Sequence, residues 1–229
     1  MSSWEALLSH PLDLVGGILF ALAFPLYHGL YPSLVRRFPN RAARRRFDLF
    51  RRSWIAGLVE NRDLLVAAQQ TRNLAMVNSL LASSALILMG LTANVLVQVA
   101  KPPATSTASP TDWGLQLVGL EPKLFLLIVV FAVAFGYVMG SLRHLGHFNL
   151  VIGADPELIE EQEGVSAVDY FSALINRASN RHTLGVRTFY SAFPLFAWLF
   201  DSRLFVLLTL ASAIRFVGFQ DFRHLLRRS

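Results

Sequence analysis

Long apolar stretches are the feature that most constrains how this chain can fold. The seventeen residues from Leu124 to Gly140 carry no charge, and a helix needs about twenty apolar residues to cross the hydrocarbon core of a bilayer. Regions of this kind lie at residues 12–31, 76–99, 124–142 and 184–220. Because 54% of the 229 residues are hydrophobic, a soluble domain would expose too much apolar surface. The sequence therefore predicts an all-α integral membrane bundle.

The last apolar region is interrupted at its centre by Asp201, Ser202 and Arg203. A charge at the middle of a bilayer costs about 2.5–3.5 kcal/mol on insertion scales, whereas these residues suit a turn. We therefore divide the region into spans 184–200 and 203–220, which gives five spans, with four as the alternative. With Asp201 in a turn, we expect no acidic residue inside the membrane, which argues against a proton-coupled transporter.

The distribution of basic residues predicts the orientation. Residues 32–73 hold ten arginines against three acids, whereas the loop 100–123 holds two lysines. Loops rich in Lys and Arg stay in the cytoplasm. We therefore expect the amino terminus and the loop 100–123 outside, and the loop 149–183 and the carboxyl terminus inside. The prediction is a single multi-pass domain, residues 1–229, in the cytoplasmic membrane.

The segment 41–72 has the pattern of a basic amphipathic helix. One helical stripe carries the apolar side chains Phe47, Phe50, Trp54, Leu58 and Leu65. Such a helix can lie at the membrane surface with its arginines on anionic headgroups, or it can cap the bundle. The residues expected at the surface are Arg44, Arg45, Arg51, Arg52 and Trp54.

The segment that begins at Asp155 is acidic and predicts a helix start. Asp155 suits an N-cap and Pro156 the first helical turn. Six acids lie from Asp155 to Asp169. They could pair with the basic segment 41–72 or form a solvated face.

Gly136 and Gly140 lie four residues apart in the third span. Small residues at this spacing let membrane helices approach closely. We predict that they pack within the bundle, with a contact between copies of the chain, or with another membrane protein, as the alternative.

Several polar residues are expected at one depth, the cytoplasmic end of the bundle. Arginines supply fixed charge and forked donors, and asparagines add neutral donors. The sequence therefore predicts a site for an anionic lipid headgroup or another anion, and the alternative is that the same side chains only reach for the interface. The expected site residues are Arg72, Asn73, Asn78, Arg143, His147, Arg181, Arg187 and Arg215.

The histidines offer a different chemistry. A haem b or a metal ion could be held between helices by neutral imidazoles, drawn from His28, His144, His147 and His182. No cysteine is present, so disulfides and thiolate ligands are excluded. We predict no cofactor, and keep the haem or metal site as an alternative.

Enzyme motifs are absent from the sequence. It holds no HExxH, GxSxG or P-loop pattern, so we name no catalytic residue and favour a binding protein, which could be an accessory subunit. A lipid-modifying enzyme is a second alternative. Nucleic acid is not expected as a partner, because the arginines flank a membrane-facing stripe.

The chain resembles an uncharacterised family of bacterial and plant membrane proteins, catalogued as a domain of unknown function. The resemblance is carried by RNLAMVNSLLASSALIL (72–88), SLRHLGHFN (141–149) and GVRTFYSAFPLFAWLFDSR (185–203). That family shows a Gly-Pro turn where this chain has Asp-Ser-Arg. The resemblance implies no activity or cofactor. Its matching polar and turn positions are Arg72, Asn73, Arg143, His147, Gly185 and Arg187.

Overall fold

The computed structural model describes residues 11–26, 29, 43–100 and 119–215, and no strand occurs in these ranges. In chain order the helices are α1 (Pro11–Ala21), which a π-helical turn (Leu22–Leu26) continues, α2 (Ala43–Asn61), α3 (Leu64–Val99), α4 (Leu120–Val151), α5 (Pro156–Glu163), α6 (Ala167–Trp198) and α7 (Ser202–Ile214). The helical fold is confirmed. His28, the side chain of Arg44, most of the loop 100–123 and the ends of the spans 12–31 and 203–220 lie outside the described residues.

Side-chain caps set where several helices begin. Asp155 accepts a hydrogen bond from the Glu157 backbone N–H at 3.2 Å and starts α5, with Pro156 in the first turn. The carboxylate of Asp201 accepts from the backbone N–H of Arg203 at 2.5 Å and starts α7. A cap of this kind satisfies an N–H that the helix leaves unpaired. The predicted helix start at Asp155 and the predicted turn at Asp201 are both confirmed.

Helices α4 and α6 run antiparallel at the centre of the bundle. The Phe148 and Phe171 rings meet near one end, with centroids 5.9 Å apart. At the other end, the Lys123 ammonium donates to the carbonyl of Trp198 at 3.2 Å. Because this helix pair contacts most of the other helices, its separation determines where their side chains meet.

Gly185 allows α4 and α6 to approach closely. A Cβ on Gly185 would lie 2.6 Å from Cγ2 of Val138, 3.3 Å from the Val138 backbone N and 3.4 Å from the carbonyl O of Ala134. Two of these atoms belong to the α4 backbone, which cannot move independently of its helix. At this point the backbone of α6 therefore packs against the Val138 side chain of α4.

Helices α3 and α2 cover one half of this pair. Helix α3 runs antiparallel to α4, and the Thr71 hydroxyl donates to Oδ1 of Asn149 at 2.6 Å. Helix α2 lies against the first half of α6, where Nε of Arg51 donates to Oδ1 of Asn176 at 2.6 Å. Buried apolar side chains join α2, α4 and α6, among them Ile55, Leu145, Phe148, Phe171 and Ile175.

Helices α1 and α7 pack together at the end where α4 begins and α6 ends. A Cβ on Gly16 of α1 would lie 2.6 Å from the Phe205 ring of α7. That ring stacks on Trp198 with centroids 4.4 Å apart and an interplanar angle of 11°. Phe20, Phe131 and Leu195 complete this second apolar core.

Much of the outer surface of the bundle is apolar. Helices α3 and α4 are long and apolar enough to cross a membrane, and only 17% and 39% of their most apolar windows are buried. Leu80, Ile87 and Leu91 of α3 and Leu207 of α7 are each at least 60% exposed. A core helix of a soluble protein buries such side chains instead.

The amphipathic segment 41–72 differs from its prediction. It is not one helix, because α2 ends at Asn61 and α3 begins at Leu64. Its buried face centres on Ile55 and Leu58, which pack on α6, while Phe47 and Phe50 are exposed. Trp54, expected at the membrane surface, is partly buried against the same core.

The predicted loop 149–183 is mostly helical. Helix α4 continues to Val151, α5 occupies Pro156–Glu163, and α6 begins at Ala167. The hydroxyl of Ser166 caps α6 by accepting from the Asp169 backbone N–H at 3.1 Å. Apolar run length indicates which residues can enter a membrane but does not show where a helix ends, because polar residues continue it freely.

The two glycines predicted to pack within the bundle, Gly136 and Gly140, lie in different surroundings. Gly136 is exposed, and a Cβ there would meet nothing within 4 Å. The atoms nearest to a Cβ on Gly140 belong to the side chain of Arg181 of α6. The close helix approach lies at Gly185 instead, because that glycine faces α4 directly.

We expect Gly185→Ala to destabilise the protein by about 1–3 kcal/mol, because the new methyl group overpacks the contact with α4. Gly136→Ala is the matched control, and we expect it to be neutral or stabilising, since alanine favours a helix over glycine by about 1 kcal/mol. Thermal unfolding of the two purified variants measures the difference. Equal unfolding temperatures would contradict the assigned contact.

Candidate functional site

A chain of hydrogen bonds joins α3, α4 and α6 inside the bundle. Nδ1 of His182 lies 2.7 Å from Oδ1 of Asn78, whose Nδ2 donates to Oγ of Ser141 at 2.9 Å. Ser141 in turn donates to the carbonyl of Ala178 at 2.8 Å. Asn78 and Ser141 are fully buried. Since a buried polar group without a partner costs about 1–3 kcal/mol, these bonds favour one arrangement of the three helices.

The donor and the acceptor of each hydrogen bond in this series can be assigned in one consistent direction. The Ala178 carbonyl can only accept, so Ser141 gives it its proton and accepts from the Asn78 amide nitrogen. The Asn78 amide oxygen then faces His182, and the proton lies on Nδ1 of the imidazole. Nε2 of His182 is therefore the ring atom that changes protonation.

A group of basic side chains, which we call the cationic surface, lies beside these hydrogen bonds on α4 and α6. It consists of Arg143, His144, His147, Arg177 and Arg181. The charges of Arg181, Arg177 and Arg143 all act on the His144 imidazole. Positions 177 and 181, and positions 143 and 147, are each one helical turn apart. The antiparallel contact of the two helices thus gathers separated basic residues.

Arg181 crosses α4 at Gly140. A Cβ on Gly140 would lie 2.8 Å from Cδ of Arg181 and 2.9 Å from Nη1. The absence of a side chain at position 140 therefore leaves room for the guanidinium stem. Gly140 contributes to the cationic surface rather than to contact between helix backbones.

The arginines of the cationic surface differ from those of α2 in their partners. Within the described ranges, Arg143, Arg177 and Arg181 form no ion pair with an acid. Arg52, in contrast, donates to Asp169 at 2.8 Å, and this bond holds the pKa of Asp169 below its ordinary value. Among the described residues, the charges of these three arginines are therefore not compensated by an acid as that of Arg52 is.

Two arginines expected at the membrane surface are therefore engaged within the protein. Arg51 bonds to Asp48, Asn176 and Ser179, and Arg52 bonds to Asp169. Arg45 is exposed. The expectation that the acidic segment pairs with the basic one is met at Arg52 and Asp169. Helix α2 lies directly over the start of α6, which brings these charges together.

The other residues of the predicted anion site lie in different surroundings, and Asn78 belongs to the buried hydrogen-bond chain. Arg72 and Asn73 are exposed on α3. Arg187 is only 5% exposed and lies further along α6. Arg215 sits 5.7 Å from the centroid of the Tyr190 ring. Of the eight predicted residues, Arg143, His147 and Arg181 belong to the cationic surface, which also includes Arg177 and His144.

The described histidines do not converge on one point. His182 bonds to Asn78. Nε2 of His147 lies instead 3.4 Å from the hydroxyl of Tyr170, a residue that precedes His182 by several helical turns on α6. No group of three or more histidine, aspartate or glutamate side chains suited to a metal occurs among the described residues.

A second polar cluster, absent from the sequence predictions, lies at the opposite end of the bundle. Oδ1 of Asp13 accepts from Nε1 of Trp198 at 2.6 Å and from the Ser202 hydroxyl. The Lys123 ammonium lies 3.8 Å from Oδ2 of Asp13 and 4.9 Å from the centroid of the Trp198 ring. We call these four residues the Asp13 cluster.

Asp13 corrects the expectation that no acid lies inside the predicted spans. It is 5% exposed and lies within the first apolar run. The sequence does show an aspartate at the start of one apolar run, Asp13, and a lysine at the start of another, Lys123. Only the packing of α1 against α4, α6 and α7 shows that they meet.

The chain belongs to the family described as "Protein of unknown function, DUF599", whose model matches residues 15–224. The resemblance to an uncharacterised family is therefore confirmed. Searches of curated proteins and of solved structures each found no match to the chain.

We expect Asp13→Leu to destabilise the protein by about 3 kcal/mol, because it leaves Trp198 and Ser202 without their acceptor and Lys123 without its countercharge. The double variant Asp13→Leu/Lys123→Met should lose less than the sum of the single losses, by about 1 kcal/mol. Denaturant unfolding of the four proteins measures this coupling. Additive losses would mean that the carboxylate and the ammonium act independently.

Proposed function

We propose that this chain is an integral membrane protein with five spans that binds an anionic group at its arginine-rich end. The spans are α1, α3, α4, the second half of α6, and α7. The exposed apolar side chains of α3, α4 and α7 support this arrangement, because lipid tails solvate such surfaces and water does not.

The separation of the two polar levels fits a bilayer. Ser141 and Lys123 lie on α4 about 27 Å apart, at a rise of about 1.5 Å per residue. The hydrocarbon core of a bilayer is about 30 Å thick. The polar chain at Ser141 and the Asp13 cluster thus lie near the two boundaries of one apolar layer, where polar side chains cost least.

The orientation follows from the arginines. The ends of α4 and α6 that carry the cationic surface are on the side of α2, which adds Arg45, Arg51 and Arg52. Basic residues accumulate on the cytoplasmic side of membrane proteins. The cationic surface then faces the cytoplasmic leaflet, and the amino terminus and residues 100–123 lie outside.

The absence of ion pairs at the cationic surface within the described residues is the observation that carries the binding proposal. Three guanidinium groups and two imidazoles adjoin on α4 and α6, while the neighbouring Arg51 and Arg52 have acidic or amide partners. Anionic headgroups attract such clusters at the cytoplasmic leaflet. The protein acts through binding, with no catalytic group assigned and no cofactor required.

Reporters placed after residue 105 and at the carboxyl terminus test the five-span topology. We expect the first outside and the second in the cytoplasm, because three spans separate these two positions. Accessibility of a single introduced cysteine to an impermeant thiol reagent gives the readout, and the natural chain has no cysteine to interfere. Both reporters on one side would contradict five spans.

Arg177→Ala/Arg181→Ala tests the anion site. We expect the preference for phosphatidylglycerol over phosphatidylcholine to fall about tenfold, because each lost charge-assisted hydrogen bond contributes about 1.5–3 kcal/mol before solvent screening. Native mass spectrometry of protein released from mixed vesicles measures the retained lipid.

Arg203→Ala is the matched control for this experiment. Arg203 is exposed and lies at the opposite end of the bundle, beside the Asp201 turn. We expect its removal to leave the lipid preference unchanged. An undiminished preference for phosphatidylglycerol in the Arg177→Ala/Arg181→Ala variant would refute the anion site.

A further inference from the structure

A cavity of about 550 Å³ lies between α1, α4 and α6. Its walls are mostly apolar and include Phe24, Val133 and Leu184, with Tyr137 and Thr188 among the polar side chains. Known ligand pockets span about 300–1,000 Å³. The cavity is therefore large enough for part of an organic ligand.

The cavity is open towards the outside of the bundle. Val129 and Val133 of α4, which line it, are 38% and 44% exposed. On the proposed topology this opening lies within the apolar layer, so a lipid tail can enter from the side without crossing water.

The cavity is followed by the cationic surface along the same faces of α4 and α6, and we call the two together the groove. On α4, positions 137, 140 and 144 follow at helical spacing, so the cavity wall at Tyr137 leads to Gly140 and His144. On α6, the wall at Leu184 leads in the same way to Arg181 and Arg177. The Arg181 stem over Gly140 lies about one turn from the Leu184 wall, or about 4.5 Å along the axis.

We infer that this groove holds one anionic phospholipid, with its phosphate at Arg177 and Arg181 and one acyl chain in the cavity. The inference rests on the proposed anion site and names its ligand class. An apolar chamber next to guanidinium groups that have no acidic partner among the described residues matches a molecule with a hydrocarbon chain and a negative head. A free phosphate would leave the chamber unused, and a neutral lipid would leave the charges unused.

Photocrosslinking tests where the acyl chain of the bound phospholipid lies. Vesicles contain either phosphatidylglycerol or phosphatidylcholine with a diazirine at the middle of one acyl chain, and crosslinked peptides are mapped by mass spectrometry. We expect the phosphatidylglycerol probe to label residues 126–137 and 184–191 more strongly than the phosphatidylcholine probe. Both probes should label the outer face of α3 equally, because that face meets bulk lipid.

Val133→Trp fills the cavity without touching the arginines. We expect it to reduce labelling of residues 126–137 and 184–191 by about fivefold or more, since a bulky ring occupies the space that the chain needs. Val95→Trp on α3 is the matched control, because Val95 is 45% exposed and lines no part of the cavity. Thr188→Phe fills the same space from α6 and serves if Val133→Trp fails to fold.

The outcomes separate this inference from the proposed function. If Val133→Trp and Thr188→Phe keep full cavity labelling while Arg177→Ala/Arg181→Ala loses the phosphatidylglycerol preference, the anion site is supported. The proposed position of the acyl chain is then wrong. Equal cavity labelling by the two probes also overturns the inference. If the double arginine variant keeps its preference for phosphatidylglycerol, the anion site itself fails. Loss of cavity labelling in both filled variants, together with loss of preference in the arginine variant, supports both.

Discussion

The close approach of α4 and α6 at Gly185 is the constraint on which the rest of the structure depends. A Cβ on Gly185 would lie 2.6 Å from Cγ2 of Val138 and 3.4 Å from the Ala134 carbonyl O, so the missing side chain lets the two helices lie this close. This proximity lets Ser141 reach the Ala178 carbonyl at 2.8 Å. It also lets Arg181 cross α4 at Gly140. If α4 and α6 lay further apart, Ser141 could not reach the Ala178 carbonyl. Arg181 would also lose its contact with α4 at Gly140, because the length of a side chain is fixed.

Polar groups inside this bundle fall into two kinds with different physical roles. At the Asp13 cluster and along the chain of Asn78, Ser141 and His182, the polar side chains are hydrogen-bonded across helices, so these groups specify how the helices dock. At the cationic surface, like charges gather on two adjoining helices. Such an arrangement is unfavourable by itself because the charges repel. An anion that binds there would relieve the repulsion, which is the physical basis of the proposed lipid site.

The sequence predicted the helices and their caps better than the partners of its side chains. Asp155 and Asp201 have a local role, since a cap depends on residues within one turn. Arg51 and Arg52 have the sequence pattern of headgroup-binding arginines, yet they bond to Asn176, Ser179 and Asp169 of α6, which lie more than 100 residues away in the chain. Gly136 and Gly140 have the spacing of a packing motif, but spacing does not reveal which helix, if any, lies opposite. Three members of the cationic surface were predicted; Arg177 and His144 joined them only through the register of α4 and α6.

The sequence by itself determined that the chain is helical, that it carries apolar runs long enough to cross a membrane, and that it turns at Asp201. These properties depend on hydropathy and on local hydrogen bonds, which neighbouring residues decide. Tertiary structure alone decided that Asp13 meets Lys123, that Asn78 of α3 bonds directly to His182 of α6, and that α1, α4 and α6 line an apolar cavity. These contacts depend on the register and separation of distant helices. That geometry arises from the packing of many side chains at once, which a single sequence does not display.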